Sequence, residues 1–251
     1  MGTGEDPPPG WGVGICAKND TMDTPSEHIG QNVTSPRPLG RGKGVGLTSA
    51  YFAPLAWYVP MAKGANVCME QHDNFVKQTF RNRCIITGPN GRQVLTVPVE
   101  KNAKGKTSMR DVRISDHGNW RHLHWNALES SYGKSPFFEY YADDLRPFFE
   151  KRWDFLFDFN EEIRQTVCEL LQIEAKVTFS SEFLPADRLP EGFVDLRPLA
   201  EPSVLEEQPC PPYYQVFAQR HGFTPNLSIL DLLFNLGPEA LIYLTAPTPC
   251  P

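Results

Sequence analysis

The sequence lacks the short motifs that most often reveal an enzyme class. Neither GxGxxG nor GxxxxGK(S/T) occurs, so the glycine-rich loops that cradle phosphate in dinucleotide and nucleoside-triphosphate folds are missing. There is no GxSxG turn, which excludes the exposed serine nucleophile of the hydrolases that carry it. The six cysteines include no CxxC pair, so the usual zinc and redox motifs are missing as well.

Long apolar runs are also lacking. No stretch reaches the ~18 apolar residues of a membrane span, and the first residues show no basic region followed by an apolar run. Cys68, Cys84 and Cys168 lie in apolar segments and are predicted to be small core residues. We therefore expect a cytoplasmic protein with free thiols and no membrane span.

Acidic residues outnumber basic ones overall, but one part of the chain is basic. The net charge of −6 argues against a nucleic-acid or anionic-membrane partner. Between Lys77 and Arg113, however, nine basic residues stand against two acidic ones. Such a zone suits a phosphorylated or carboxylated small molecule, although a solvated charged loop at 100–106 would explain part of it.

Strand patterns dominate the first half of the chain after a polar leader. Residues 1–45 are rich in Gly, Pro, Ser and Thr and are predicted to be disordered, and Met22 leaves open whether all of them are translated. A helix is expected to begin after Pro54. Gly88-Pro89-Asn90-Gly91 predicts a hairpin turn. The predicted strands are 47–52, 65–69, 84–87, 93–99 and 112–115.

Helical periodicity dominates the second half. Ser228 is predicted to cap the helix at 229–236, and Asp158-x-x-Glu161 resembles a capping box. The other predicted elements are helices at 120–132 and 141–149, strands at 176–179 and 241–244, and a loop at 184–212. Because strands precede helices without βαβ alternation, we predict an α+β fold. It would be a single compact domain over 46–244, with N-terminal, mostly antiparallel strands including the hairpin, a mainly helical C-terminal half, and frayed residues at 245–251.

The densest set of chemical groups lies between Glu70 and Arg83. Acidic, amide, imidazole and basic side chains are costly to bury unpaired, so they either line a site or form a solvated loop. Glu70 ends an apolar strand beside His72, where both could transfer protons. His124 lies on the apolar face of the 120–132 helix and is predicted to be a buried, hydrogen-bonded histidine, although it could also be a base. The candidate catalytic residues are Glu70, His72 and His124.

Two arginines in this stretch could bind an anion. Around a strand start, Arg81 and Arg83 would project to the same side, where two guanidinium groups could hold a phosphate or a carboxylate. The alternative is an ion pair that holds Glu70 or Asp73, and both roles could apply at once. The candidate substrate-binding residues are Lys77, Arg81, Asn82, Arg83 and Tyr132.

Metal binding and thiol catalysis are not favoured. His122 and His124 would point to nearly opposite sides of a helix and could not chelate a metal together, so we expect no metal and no cofactor. Arg83 could lower the pKa of the neighbouring Cys84 thiol, but Cys84 begins an apolar strand, and we favour a structural role for it.

Several segments together resemble the WbqC-like family of bacterial proteins, especially its Bacteroidota-type branch. The resemblance extends over about 47–244. It is carried by 48–54, 70–83, 89–91, 95–99, 120–132, 135–141, 158–160 and 226–239.

The resemblance implies a role in the assembly of O-antigen or other surface polysaccharides. The implied activity is a transferase-like modification of a sugar or an aminoacyl group on a nucleotide-linked sugar or amino sugar. Many relatives carry His-Gln-Pro where this chain has Thr48-Ser49-Ala50, and an Asp-Asp pair where it has Glu70-Gln71. If that histidine is catalytic in relatives, His72 or His124 would replace it here, or the protein is a non-catalytic binding or scaffold protein of the same pathway. The oligomeric state is not indicated.

Overall fold

The computed structural model describes residues 44–100, 105–206 and 208–247. The predicted leader therefore lies outside the described residues up to position 43, and the predicted frayed C-terminus lies outside them from position 248. Two basic residues of the charged zone, Lys101 and Lys104, also lie outside them. The described residues belong to one compact unit.

The main sheet has four strands in the order β5-β2-β1-β6. They are β1 (Gly44–Thr48), β2 (Asn66–Glu70), β5 (Lys176–Phe179) and β6 (Phe193–Asp195). All three neighbouring pairs are parallel, and the end of β1 lies opposite the end of β2. The carboxyl ends of the strands consequently meet at one edge of the sheet.

A second, two-stranded sheet is the predicted hairpin. Strands β3 (Arg83–Gly88) and β4 (Gly91–Thr96) are antiparallel, and Gly88 pairs with Gly91 across the turn. Gly91 has a φ of 96°, a left-handed value that residues with a Cβ adopt only with strain.

The mixed class is confirmed, with strands mainly in the first half, helices mainly in the second, and one compact unit. The main sheet differs from expectation in strand direction, because it is parallel and only the hairpin is antiparallel. Helix α1 (Leu55–Ala62) connects β1 to β2, and a parallel pair requires such a crossover. The expected strand at 47–52 hid this unit, since β1 ends at Thr48 and the next residues form a turn.

The other helices lie mainly in the second half of the chain. They are α2 (Trp120–Tyr132), α3 (Phe138–Leu145), α4 (Pro147–Glu150), α5 (Leu156–Leu170), α6 (Pro202–Leu205), α7 (Ala218–His221), α8 (Ile229–Leu236) and α9 (Ala240–Thr245). Helices α2 and α8 pack against strand β3 of the hairpin. The core between them is strongly aromatic: Phe52 stacks on Phe149, and Tyr51 stacks on Phe159. Within the described ranges, no helix combines the length and apolar character needed to cross a bilayer.

Three local expectations are wrong for identifiable reasons. The apolar run at 241–244 is helical in α9, where Ala240 and Leu244 are buried one turn apart and Ile242 is exposed. Helix α5 begins at Leu156, two residues before the expected cap, and no side chain caps it. The expected loop at 184–212 contains β6, whose three residues are too few to show a strand pattern.

The expected cap of α8 is confirmed. Ser228 Oγ accepts a hydrogen bond from the Leu230 amide at 3.3 Å and donates one to the Phe52 carbonyl at 2.8 Å. Gly237 ends the helix with a φ of 54°, and a Cβ there would lie 2.6 Å from the Phe137 ring.

Replacing Ser228 by alanine should lower the free energy of unfolding by about 1–3 kcal/mol, because it removes the cap and leaves a buried carbonyl unpaired. Urea denaturation would measure the change. The matched control is Ser130→Ala on the exposed face of α2, which should be close to neutral. Equal effects of the two substitutions would contradict the role given to Ser228.

Candidate functional site at the carboxyl edge of the parallel sheet

The carboxyl edge of the main sheet is the natural place for a site in this topology. Strand β2 lies on one side of β1 and β6 lies on the other, so the winding of the sheet reverses at β1. Ligands of open parallel sheets bind outside the carboxyl ends of the strands at such a switch point. Here that point is the end of β1, at Thr48 and Ser49, next to Glu70 at the end of β2.

The Glu70 carboxylate is fully engaged in structural hydrogen bonds. The residue is 2% exposed. Its Oε1 accepts from Ser180 Oγ at 2.9 Å and from the His72 amide at 2.7 Å, and its Oε2 accepts from the Leu184 amide at 2.8 Å. Arg197 lies 3.9 Å from Oε2. Glu70 therefore ties β2 to the segments after β5 and β6, and these bonds would have to break before it could move a proton.

Asp73 and Arg81 form a buried ion pair at the same edge. Asp73 Oδ2 accepts from Arg81 Nη2 at 2.6 Å and from Thr48 Oγ1 at 2.9 Å. The two side chains are only 10% and 8% exposed. Of the two roles expected for Arg81, the ion pair with Asp73 is the one that the structure shows. Removal of either charge would leave the other buried and uncompensated.

Two amides lie beside the ion pair. Asn160 Nδ2, on α5, donates to Ser49 Oγ at 2.9 Å and to the Arg81 carbonyl at 2.8 Å. Asn82 Nδ2 donates to the Val97 carbonyl at 2.8 Å. Both amide oxygens are buried and have no hydrogen-bond partner. Each amide is thus fixed by its nitrogen, and within the described residues its buried oxygen accepts no hydrogen bond.

Buried polar atoms without a partner are concentrated in this region. Within the described part of the chain, twelve buried side-chain nitrogen and oxygen atoms make no hydrogen bond, and half of them belong to 72–83 and Asn160. Leaving such an atom unpaired costs about 1–3 kcal/mol, and native proteins keep few of them. The six atoms are His72 Nε2, Asp73 Oδ1, Arg81 Nε, Asn82 Oδ1, Arg83 Nε and Asn160 Oδ1.

The two candidate histidines differ in what their rings contact. His124 is 5% exposed, its Nδ1 lies 2.9 Å from the Tyr51 hydroxyl, and its ring packs edge-on against Trp120. Burial lowers the pKa of His124 to about 4, although a hydrogen bond to the Thr96 carbonyl opposes that shift. His72, in contrast, is half-buried and keeps an unpaired Nε2. His72 is therefore the better placed of the two for proton transfer.

Tyr132 belongs to a different buried cluster. Its hydroxyl donates to Asp231 Oδ1 at 2.9 Å, and the Oδ2 atom accepts from the Tyr213 hydroxyl at 2.5 Å and from Gln215 Nε2 at 3.0 Å. Burial raises the pKa of Asp231, while the hydrogen bonds that it accepts oppose the shift. The cluster anchors α8 to α2 and to residues 213–215, and the substrate contact expected of Tyr132 remains a prediction.

The remaining basic candidates lie at two different depths. Arg83 is half-buried at the start of β3. Lys77 is exposed and lines a cavity of about 460 Å³ beside residues 105–113. The five expected substrate-binding residues are therefore divided among the sheet edge, the rim of that cavity and the Asp231 cluster.

The structure gives no support to thiol or metal chemistry at this edge. Cys84 is 1% exposed, and burial raises the pKa of its thiol far above the usual range, so a thiolate is disfavoured. Its expected role in the core is thus supported. Over residues 44–100, 105–206 and 208–247, no three His, Cys, Asp or Glu side chains are grouped to hold a metal ion.

The sequence analysis missed Asn160, Ser180 and Arg197 as contributors to the edge. Asn160 could have been found, because it occupies the apolar face of α5 three residues before Ile163 and seven before Val167. A polar residue on a buried face needs partners. Ser180 and Arg197 carry no local signal, since they reach the edge only through the pairing of β5 and β6.

One family model and one curated protein are similar to this chain. The model described as "WbqC-like protein family" matches residues 49–197 and 201–243. The chain is 30% identical over 193 residues to "Uncharacterized protein Rv1507c" of Mycobacterium tuberculosis, a match that covers 68% of this chain and 83% of that protein. No solved structure matches.

The depressed pKa of His124 should make stability depend on pH. The unfolded chain takes up a proton near its usual pKa of about 6.5, and the folded chain only near pH 4. The stability is therefore fully present above pH 6.5 and is lost as the pH falls toward 4, by on the order of 3 kcal/mol at most. Urea denaturation of the wild type and His124→Gln between pH 4.5 and 7.5 measures this. The variant should lose the dependence, and His122→Gln, on the exposed face of α2, should retain it.

Breaking the buried ion pair should be more costly than removing it. We expect Arg81→Met to destabilise the protein by about 3–5 kcal/mol, because the Asp73 carboxylate is left buried and uncompensated. The double variant with Asp73→Asn should recover part of that loss in urea denaturation. Additive effects of the two substitutions would show that the side chains do not depend on each other.

Proposed function

Because the chain belongs to the WbqC-like protein family, we propose that it acts in surface-polysaccharide biosynthesis, including that of O-antigen. In this proposal it is a transferase-like protein that modifies the sugar or aminoacyl part of a nucleotide-linked sugar or amino sugar. Membership of this family is the support for the choice of pathway. The observation that carries the proposal is the group of unpaired buried polar atoms at the carboxyl edge.

Those atoms have the hydrogen-bonding character that a sugar requires. Asp73 Oδ1, Asn82 Oδ1 and Asn160 Oδ1 are acceptors, and Arg81 Nε is a donor. Hydroxyl and amide groups of an amino sugar donate to such acceptors and accept from such a donor. Because the carboxylate, the guanidinium and the amides are already fixed by other bonds, a ligand would meet preorganised partners.

His72 is the residue that we expect to move a proton in this site. Within the described residues its Nε2 has no hydrogen-bond partner, and an imidazole nitrogen can either donate or accept a proton. Thr48, at the position where many relatives carry the histidine of His-Gln-Pro, donates to Asp73. We expect His72 to perform the proton transfer that a histidine at that position would perform in those relatives.

A second candidate function is non-catalytic binding within the same pathway. The specific observation in its favour is that two of the three expected acid/base residues are occupied elsewhere. Glu70 accepts three hydrogen bonds, and His124 is held among aromatic rings by Tyr51. A protein of this kind would bind the nucleotide-linked sugar at the edge without converting it.

Calorimetric titration with a panel of nucleotide sugars and nucleotide amino sugars tests the proposal. We expect the wild type to bind at least one member, and Arg83→Ala to bind it about tenfold more weakly through loss of a charged hydrogen bond. Arg92→Ala is the matched control, because Arg92 is an exposed arginine at the turn of the same hairpin. Absence of binding across the panel would contradict both candidate functions.

Mass spectrometry of the bound ligand, incubated with an amino or acyl donor panel, separates the two candidates. Conversion by the wild type that is lost in His72→Gln, with binding retained, supports the transferase. Tight binding with no conversion by the wild type supports the binding protein. The exposed His122→Gln variant should behave as the wild type does in both measurements.

A further inference from the structure

A cavity adjoins the carboxyl edge, and none of the roles given above uses it. Its volume is about 460 Å³, and its lining comes from Phe75 and Lys77, from residues 99–100 and from within 105–113. The side chains that give it its chemical character are Phe75, Lys77, Glu100, Lys106, Asp111 and Arg113. Lys77 was expected to bind substrate, and Lys106 and Arg113 belong to the basic zone that was expected to suit an anion. Phe75, Glu100 and Asp111 carried no such expectation.

The cavity continues the sheet edge along the same backbone. The Met109 amide donates to the Asp73 carbonyl at 2.7 Å, and the Phe75 amide donates to the Thr107 carbonyl at 2.8 Å. The 71–75 segment thus runs beside 107–110, with its first residues at the sheet edge and Phe75 in the cavity. Two residues of extended chain span about 7 Å, so a ligand longer than one sugar ring can reach both places.

The charges around the cavity are not neutralised by each other. Lys77, Lys106 and Arg113 come from three separate parts of the chain, and within the described residues none of them makes an ion pair. Opposite charges elsewhere in the molecule do pair, as Asp73 and Arg81 show. Cations held apart around a concave surface focus their field into it and attract anions.

One of the three cations, Arg113, is held in position, and apolar side chains also line the cavity. The Arg113 guanidinium lies 4.6 Å from the centre of the Phe155 ring, a cation–π contact that holds it at the rim. Val99, Val112 and the half-buried Phe75 ring form apolar surface within the cavity. A flat ring could rest on that surface while a charged group faces the cations.

Two carboxylates in the cavity favour a ligand that carries hydroxyl groups as well as negative charge. Glu100 and Asp111 also line it, and within the described ranges neither forms an ion pair with a lysine or arginine. They would repel an inorganic polyanion but can accept hydrogen bonds from the hydroxyl groups of a ribose or a hexose. Cations, carboxylates and an aromatic ring together match a nucleotide better than they match phosphate alone.

We propose that this cavity is the nucleotide subsite, in which Lys77, Lys106 and Arg113 hold the diphosphate while the attached sugar extends to the sheet edge. This proposal rests on the proposed function, because it assumes that the edge binds the sugar. It further specifies how the substrate is oriented, and it names the residues that would distinguish a nucleotide-linked sugar from a free sugar.

Titration of the full chain with inorganic pyrophosphate and with the nucleotide sugars tests this subsite. Lys77→Ala and Lys106→Ala should each weaken both ligands about tenfold, and raising the salt concentration should weaken them further. Lys134→Ala, at an exposed lysine that follows α2, is the matched control and should change neither. Asp111→Asn should tighten pyrophosphate binding, because a repelling charge is removed.

The outcomes separate this inference from the proposed function. If nucleotide sugars bind with unchanged affinity in the Lys77 and Lys106 variants, the subsite is overturned and the proposed function stands. If pyrophosphate binds and is weakened in those variants but no nucleotide sugar binds, the anion subsite stands and the proposed function is contradicted. If neither pyrophosphate nor any nucleotide sugar binds, or if Lys134→Ala weakens binding as much as the Lys77 and Lys106 variants do, the subsite is overturned.

Discussion

The buried ion pair between Asp73 and Arg81 is the interaction on which the rest of the site depends. Two charges removed from water at 2.6 Å are tolerated only when both find partners, so the chain cannot shift locally without exposing one of them. The pair also accepts the Thr48 hydroxyl at the end of β1, and the Arg81 backbone carbonyl accepts from Asn160 on α5. One interaction thereby fixes the positions of two strands' carboxyl ends, a helix and the segment between them.

With this ion pair in place, some charged side chains of the 70–83 segment are buried and others are exposed. Glu70, Asp73 and Arg81 are consumed largely in holding the sheet edge together, whereas Lys77 reaches an open cavity with Lys106 and Arg113. The buried charges hold the surrounding segments in position. The exposed charges around the cavity attract anions, and salt can screen that attraction. A substrate with a polar sugar and an anionic tail would use both, which is why the two proposals refer to one extended ligand.

Local chemistry predicted the elements whose signals are local. The turn Gly88–Gly91, the Ser228 cap and the helix at 120–132 occur as expected, because a turn residue, a cap or a helical stripe acts within a few residues. The apolar run at 241–244 was wrongly expected to be a strand. Packing of Ala240 and Leu244 against the core, one helical turn apart, favours a helix instead. The strand at 176–179 was expected and is β5. The parallel arrangement escaped prediction because the expected strand at 47–52 concealed the turn after Thr48, and because β6 has only three residues.

By itself, the sequence determined the family and the mixed class. It also marked 70–83 as a dense run of charged, amide and imidazole groups, which are costly to bury unpaired. It also offered the ion pair of Arg81 as one of two roles. Tertiary structure alone showed that pair, since Thr48, Asp73, Arg81 and Asn160 meet only through β1, the 70–83 segment and α5. It likewise placed His124 among aromatic rings and Tyr132 against Asp231, because burial depends on what packs above a residue and not on its neighbours in sequence.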